Sequence, residues 1–255
     1  MPRTIRKAVL LAAGRGTRLG TLTAKTPKPL IEVAGHPLIG HIVDGLAAAE
    51  VAEIAIVVGY LGEQIEQWCR RAERAHPDVR LHTIRQAQLN GTAGAMLAAK
   101  DFLASEQAFI FGWGDILMDR ANYPRFVTAA RESECDLLLA VNRMRDPWRG
   151  SAVYVNTAMR VDRVVEKPPR GTSTTNWNSA GLFAATQLLF DYVAQLAPSE
   201  RGELELPQAI AAMIAERRDV RALDVRGFWK DVGTAEDLEE ARQRFRLGGA
   251  SADGS

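Results

Sequence analysis

The feature that most constrains the fold of this 255-residue chain is a regular alternation of short β-branched apolar runs with longer stretches of helical period. The runs Lys7–Ala12, Ile54–Gly59, Leu81–Arg85 and Ala108–Gly112 have strand length. Between them, Pro37–Ala49, Gly62–Ala75 and Thr92–Leu103 repeat apolar residues every three to four positions, as a helix does when one face is buried. A βαβαβαβ series of this kind closes through right-handed crossovers into a parallel sheet covered on both sides by helices. The expected class is therefore α/β, a three-layer αβα sandwich around a mostly parallel, mixed sheet.

After Asp136 the strands crowd together: Asp136–Val141, Ser151–Val155, Arg160–Glu166 and Ser179–Ala184, followed by Val220–Val225. This spacing predicts antiparallel additions that build a second wall. Helices are expected over Tyr123–Glu132, Thr186–Leu196, Pro207–Glu216 and Thr234–Phe245. The Pro-, Gly-, Ser- and Thr-rich segment Pro168–Thr175 reads as a mobile loop, and 248–255 as a disordered tail. With 47% apolar side chains and no long linker, residues 1–247 are expected to form one domain with a half from 7 to 135 and a half from 136 to 247.

Charge narrows the partners. The 32 basic and 31 acidic residues give a net charge of +1, which supplies no broad field for a nucleic acid, so any phosphate ligand must be held by a few aimed groups. Cys69 and Cys135, 66 residues apart and outside any CxxC spacing, read as reduced core thiols. The apolar run Ala8–Ala13 behind the basic N-terminus is too short for an export signal or a membrane span, which leads to the expectation of a soluble cytoplasmic protein.

The most informative segment is Gly14-Arg15-Gly16-Thr17-Arg18-Leu19, followed by Pro27-Lys28-Pro29-Leu30. A strand that empties into a two-glycine loop lets backbone N–H groups turn toward an anion with no Cβ in the way. Arg18 can fork onto two oxygens, and Lys28 is a point charge fixed between two prolines. A P-loop would need a lysine after Gly20, where Thr21 stands, and a dinucleotide GxGxxG would need glycine at Leu19. The plain alternative is a surface turn carrying charge.

With these two motifs the sequence resembles the sugar-phosphate nucleotidylyltransferase family, whose GxGTRL and PKPL signatures they match. The resemblance extends motif by motif from about Lys7 to Arg244, most specifically at the first motif. It implies a Rossmann-like fold and a magnesium-dependent condensation of a nucleoside triphosphate with a sugar 1-phosphate, releasing pyrophosphate. Leu11, Ala13, Gly14, Gly16, Thr17 and Arg18 would then hold the nucleotide, with Arg18 and Lys28 neutralising its phosphates.

Later motifs fit the same resemblance. In Gln86-Ala87-Gln88-Leu89-Asn90-Gly91-Thr92-Ala93-Gly94, Gln86 offers both donor and acceptor to a base, and Gly91 lets the base lie against backbone; the resemblance places Thr92 with them as a nucleotide-binding residue, or it could instead cap a helix. Gln86 looks like uridylyl and thymidylyl members, whereas Gly91-Thr92-Ala93-Gly94 also looks like guanylyl ones. Asp115, ending an apolar strand in Gly112-Trp113-Gly114-Asp115, and Asp231, in Trp229-Lys230-Asp231-Val232-Gly233, match the family's two Mg²⁺-binding aspartates, hard oxygen ligands suited to that ion. Glu166 and Asn178 would meet sugar hydroxyls, Lys167 the sugar phosphate, and Gly150 would let the sugar approach backbone. Trp148 and Trp177 flank this region and could stack on a sugar or serve the core.

None of His36, His41, His76 and His82 lies in a catalytic pattern, as expected where the nucleophile is already an anion. Two other activities compete: cytidylyl transfer to a phosphocholine or phosphonate, and a silent regulatory paralogue. The carboxylates Asp115 and Asp231 argue against the second, and Glu166 with Asn178 against the first. The short segment after the Asp231 motif leads to the expectation of no appended acyltransferase domain. A homo-oligomer is compatible with the sequence, and any feedback would then act through subunit contacts.

Overall fold

A computed structural model describes residues 2–249, with the side chains of 246–249 left out of the description. The chain runs through β1 (Lys7–Leu11), β2 (Glu32–Val33), β3 (His36–Pro37), α1 (Leu38–Ala48), β4 (Glu53–Val58), α2 (Gly62–Ala72), β5 (Arg80–Arg85), α3 (Thr92–Ala98), α4 (Lys100–Leu103) and β6 (Ala108–Trp113). It continues with β7 (Ile116–Met118), α5 (Asn122–Glu132), β8 (Leu137–Arg143), β9 (Ser151–Val155), β10 (Val161–Glu166), β11 (Trp177–Thr186), α6 (Leu188–Val193), α7 (Leu206–Ala215), β12 (Val220–Asp224), β13 (Trp229–Asp231) and α8 (Ala235–Gly249).

Nine strands form one sheet with the path β10-β9-β11-β6-β1-β4-β5, and β8 joins it between β11 and β12. The β6-β1-β4-β5 portion is parallel throughout, as the alternating pattern predicts. The later strands supply the antiparallel wall: β11 runs against β6 and β8, and β10 against β9. Only β12 departs from that expectation, lying parallel to β8. The order matters for function, because the chain leaves β1 toward β4 and β5 and then returns to β1's other side as β6. The loops after β1 and β6 therefore diverge, which opens a crevice at the carboxyl ends of the strands.

Period-two alternation divides the core. Ala8, Leu10 and Ala12 face a layer built by α1, α2 and α5, while Val9, Leu11 and Ala13 face α3, α6 and α7. A third, smaller core joins Leu19, Ile31, Leu117, Val232, Leu238 and neighbours, and it lies apart from the two main layers. Both cysteines are buried and unbridged. Burial pushes the Cys69 thiol up to about 12 and the Cys135 thiol in the same direction.

Several boundaries differ from the sequence expectation. The helix expected over Thr92–Leu103 breaks at Ala99, which adopts φ −91 and ψ 1 before the chain restarts at Lys100. The loop Pro168–Thr175 is pinned at two points: Gly171 N–H donates to Asp146 Oδ2 at 2.8 Å and Thr175 Oγ1 to Val153 O at 2.9 Å. Helix α8 runs to Gly249, two residues into the segment expected as a tail; 250–255 lie outside the described residues. Among the described residues no helix is long and apolar enough to cross a membrane.

Candidate active site

The crevice is a cleft of about 760 Å³ lined from both halves of the chain. Its lining includes every residue singled out from the motifs: Leu11, Ala13, Gly14, Gly16, Thr17, Arg18, Lys28, Gln86, Gly91, Thr92, Asp115, Gly150, Glu166, Lys167, Asn178 and Asp231.

At the end of β1 the chain turns at Gly16, whose φ of 62 belongs to the left-handed region, and enters a short 3-10 helix from Thr17 to Thr23. A Cβ on Gly16 would stand 3.0 Å from Lys28 Cβ, so glycine lets the loop and the Lys28 segment pack together. Thr23 Oγ1 closes the turn by donating to Gly16 O at 3.0 Å. Gly14 has open space where its Cβ would be, which leaves its backbone approachable. The Arg18 side chain is exposed and lies against Gly233, where an added Cβ would come within 3.2 Å of the guanidinium.

Lys28 is buried, with its ammonium 2.5 Å from Asp115 Oδ2 and 3.7 Å from Asp231 Oδ1. Residues 116 positions apart thus converge on one cation. Two short strands that the sequence did not reveal produce this: β13 pairs antiparallel with β7, setting Asp231 opposite Ile116, and Val232 N–H donates to Asp115 O at 3.2 Å. A clamp fixes the approach to β13. The buried Asn122 donates from Nδ2 to Arg226 O at 2.8 Å and accepts from Arg226 N–H at 2.9 Å, while Asp119 Oδ2 accepts from Phe228 N–H at 2.9 Å. Burial, and then the charge of Asp115, push the Asp231 carboxyl above its ordinary value, against the lowering effect of Lys28 and Arg18. Among the described residues no group of three His, Cys, Asp or Glu side chains is placed to hold a metal ion, and Asp115 and Asp231 bring two carboxylates together at Lys28. That donor set fits Mg²⁺, which keeps waters and takes one or two carboxylates together with substrate phosphates.

Gln86 is buried and donates from Nε2 to Asn90 Oδ1 and Gly91 O, both at 3.1 Å. Its amide thus organises its own loop and leaves the carbonyl oxygen as the end it can offer. Gly91 is required for a reason other than the one expected: its φ is 107, and its Cβ would collide with the backbone of Leu204. Thr92 does not cap its own helix, because its Oγ1 accepts instead from Leu206 N–H at 2.9 Å.

At the opposite end, Asn178 is 1% exposed; its Nδ2 donates to Asn142 Oδ1 at 2.9 Å and Ser179 O at 2.6 Å. Asn178 Oδ1 and Ser179 Oγ have no hydrogen-bond partner among the described residues, an arrangement that is costly without a ligand or water to satisfy it. Glu166 accepts from Ser151 Oγ and lies 3.8 Å from Lys167 Nζ. Burial outweighs these partners and pushes its carboxyl up. Lys167 occupies φ 45, a conformation that costs a non-glycine residue about 1–3 kcal/mol, and its N–H is held by Gly150 O at 2.7 Å.

Several lining residues were missed by the sequence reading. Trp113 and Trp229 line the cleft; Trp148 and Trp177 do not, lying instead under the guanidinium groups of Arg149, Arg170 and Arg143. The period-two pattern of β6 was the available signal for Trp113; Trp229, on a three-residue strand, had none. Arg201 and Glu205, joined at 2.6 Å, also face the cleft from the loop between α6 and α7, a stretch that carries no motif. Among the described residues no histidine lines the cleft, and His36 and His76 instead share Asp44.

A glycine-turned loop, two cations and a pair of carboxylates meet at the switch point of an α/β sheet, the place where open sheets of this kind bind their ligands. The chain belongs to the nucleotidyl transferase family, whose model matches residues 7–246. It is 32% identical, over 94% of its length and 96% of the relative's, to the UTP–glucose-1-phosphate uridylyltransferase AglF of Haloferax volcanii. It is 29% identical to the bifunctional protein GlmU of Methanococcus maripaludis, and spans about half (54%) of that protein. A UDP-glucose pyrophosphorylase solved with UDP-glucose shares the fold, with TM-score 0.85 and 20% identity over 96% of this chain and all of that one.

Proposed function

We propose that the cleft joins a nucleoside triphosphate to a sugar 1-phosphate with release of pyrophosphate. The observation that carries this reading is the meeting of Asp115, Asp231 and Lys28 in the cleft that the Gly14–Arg18 loop lines, with Glu166, Lys167 and Asn178 lining the same cleft. Residues 7–135 would chiefly carry the nucleotide and 136–247 the sugar, although Asp231 returns to the nucleotide side. The names of relatives that act on UTP and glucose 1-phosphate support the same chemistry.

An oxygen of the sugar phosphate attacks the α-phosphorus in line, and pyrophosphate leaves. The nucleophile is already anionic, so the site needs to position groups and stabilise charge rather than supply a base, which accords with a cleft that has no histidine. Backbone N–H groups of the Gly14–Thr17 turn and the Arg18 guanidinium receive the triphosphate, and Lys28 neutralises charge that grows on the phosphates. A divalent cation, Mg²⁺, held by Asp115 and Asp231 would supply further charge neutralisation on the triphosphate oxygens. Lys167 and Arg201 receive the sugar phosphate, and Glu166 and Asn178 meet the sugar hydroxyls. The Gln86 carbonyl oxygen suits the ring N–H of uracil or thymine, which favours UTP or dTTP, with GTP as the second choice. The acceptor-rich sugar end argues against a phosphocholine acceptor, whose quaternary ammonium has no N–H or O–H to donate.

Pyrophosphate release, measured for each of five nucleoside triphosphates against a panel of sugar 1-phosphates with Mg²⁺, tests this reading. UTP or dTTP with a hexose 1-phosphate should give turnover. Release only with phosphocholine and CTP, or with no pair at all, would refute it.

A further inference from the structure

The loop that carries Arg201 is not an independent arm. Leu204 N–H donates to Asn90 O at 2.7 Å, Leu204 O accepts from Ala93 N–H at 2.9 Å, and Leu206 N–H donates to Thr92 Oγ1 at 2.9 Å. Three consecutive hydrogen bonds thus strap residues 204–206 to 90–93, the segment placed at the base of the nucleotide. Gly91 makes the close approach possible, since any Cβ there would strike the Leu204 backbone. Leu206 opens α7, and its N–H is one a helix cannot satisfy internally; a hydroxyl 114 residues away in sequence satisfies it.

The strap leads directly to a charged group in the cleft. Glu205, between the two strapped residues, is buried and accepts from Arg201 Nε at 2.8 Å and from Ser199 Oγ at 2.7 Å. Ser199 N–H in turn donates to Glu203 O at 2.9 Å, which closes the loop on itself. Arg201 is therefore fixed to Glu205, Glu205 to the chain direction at Leu204 and Leu206, Leu204 to Asn90 and Ala93, and Leu206 to Thr92. Its guanidinium is exposed on the same side of the cleft as Glu166 and Lys167, and its charge acts on the Glu166 carboxyl.

We propose that Thr92 is a positioning residue for the sugar phosphate: its hydroxyl couples the base loop to the Arg201 loop, so that ordering one orders the other. This rests on the functional reading above and assigns the residue a role at the opposite end of the cleft from the base. Coupling of this kind makes nucleotide binding lower the ordering cost of the second site with no contact between the two ligands.

The test is a comparison of Thr92→Val, Thr92→Ser and the parent protein by steady-state kinetics with both substrates varied. Valine keeps the shape and removes the acceptor, while serine keeps the acceptor. Losing one buried hydrogen bond of this type should raise KM for each substrate about 5- to 10-fold in Thr92→Val when the other is saturating, and little when the other is dilute, because a coupling is reciprocal; Thr92→Ser should restore the parent behaviour. A rise confined to one substrate's KM, a rise that does not depend on the other substrate, or no change in an active protein would each overturn the inference and leave the activity standing. No pyrophosphate from the parent protein itself would instead overturn the activity. If Thr92→Val does not fold, hydrogen exchange on the parent protein decides: UTP with Mg²⁺, in the absence of sugar phosphate, should slow exchange of the Leu204 and Leu206 amides, and unchanged rates there would overturn the coupling.

Discussion

Lys28 shows how a single residue can hold a site in readiness. Its ammonium stands between two carboxylates that would otherwise repel each other in a partly buried place. Lys28→Ala should lower kcat about 10²- to 10³-fold, by analogy with loss of one transition-state donor. It should also tighten binding of a divalent cation in the absence of nucleotide, because the competing charge is gone; a calorimetric titration with Mn²⁺ checks this, and unchanged affinity would show that the lysine does not guard the pair. Glu166 illustrates the opposite balance. Its carboxyl is raised by burial, so the stability it contributes is fully present below its ordinary value of 4.5 and is lost as pH rises through the raised one. Glu166→Gln mimics the protonated form and should melt higher than the parent at pH 7, with the gap closing below about 4.5, while KM for the sugar phosphate rises. A lower melting temperature at pH 7 would mean that the Ser151 bond outweighs the burial cost.

At the scale of elements, the decisive structure is the smallest. Leu19 from the phosphate loop, Ile31 behind Lys28, Leu117 of β7, Val232 after β13 and Leu238 of α8 pack into one minor core, and each belongs to or adjoins a segment that delivers a charged group to the cleft. Leu117 is fully buried there. Leu117→Ala should cost about 2–5 kcal/mol in denaturant unfolding and depress kcat, because the β7–β13 ladder sets Asp231 beside Asp115. Leu103→Ala, in the layer under α3 and α6, should cost a similar amount with kcat near normal; equal losses of kcat in both would deny the minor core its special role. The same contrast explains what was legible beforehand. The strands of the parallel half and their helices follow from apolar period, Lys28 and Asp115 from their glycine and proline surroundings, and Asp231 from the resemblance to the family's motif. The β7–β13 pair did not, since strands of three residues are too short to show a period. Arg201 also escaped notice, because what makes it part of the site is the strap to residues 90–93, a long-range contact with no local signature.

For the molecule as a whole, topology explains how one cleft would hold two phosphates under the proposed function. Reversal of strand order at β1 opens the nucleotide side, and antiparallel β9, β10 and β11 raise the wall on which Gly150, Glu166 and Asn178 stand. The near-neutral chain concentrates its useful charge at that junction. The central claim is that the chemistry occurs at the α-phosphorus of a triphosphate held there. The direct measurement follows label from UTP carrying ³²P at either the α or the γ position, incubated with the protein, Mg²⁺ and glucose 1-phosphate. Label from the α position should appear in a nucleotide sugar and label from the γ position in pyrophosphate; γ-label transferred to the sugar, or released as inorganic phosphate, would contradict the account.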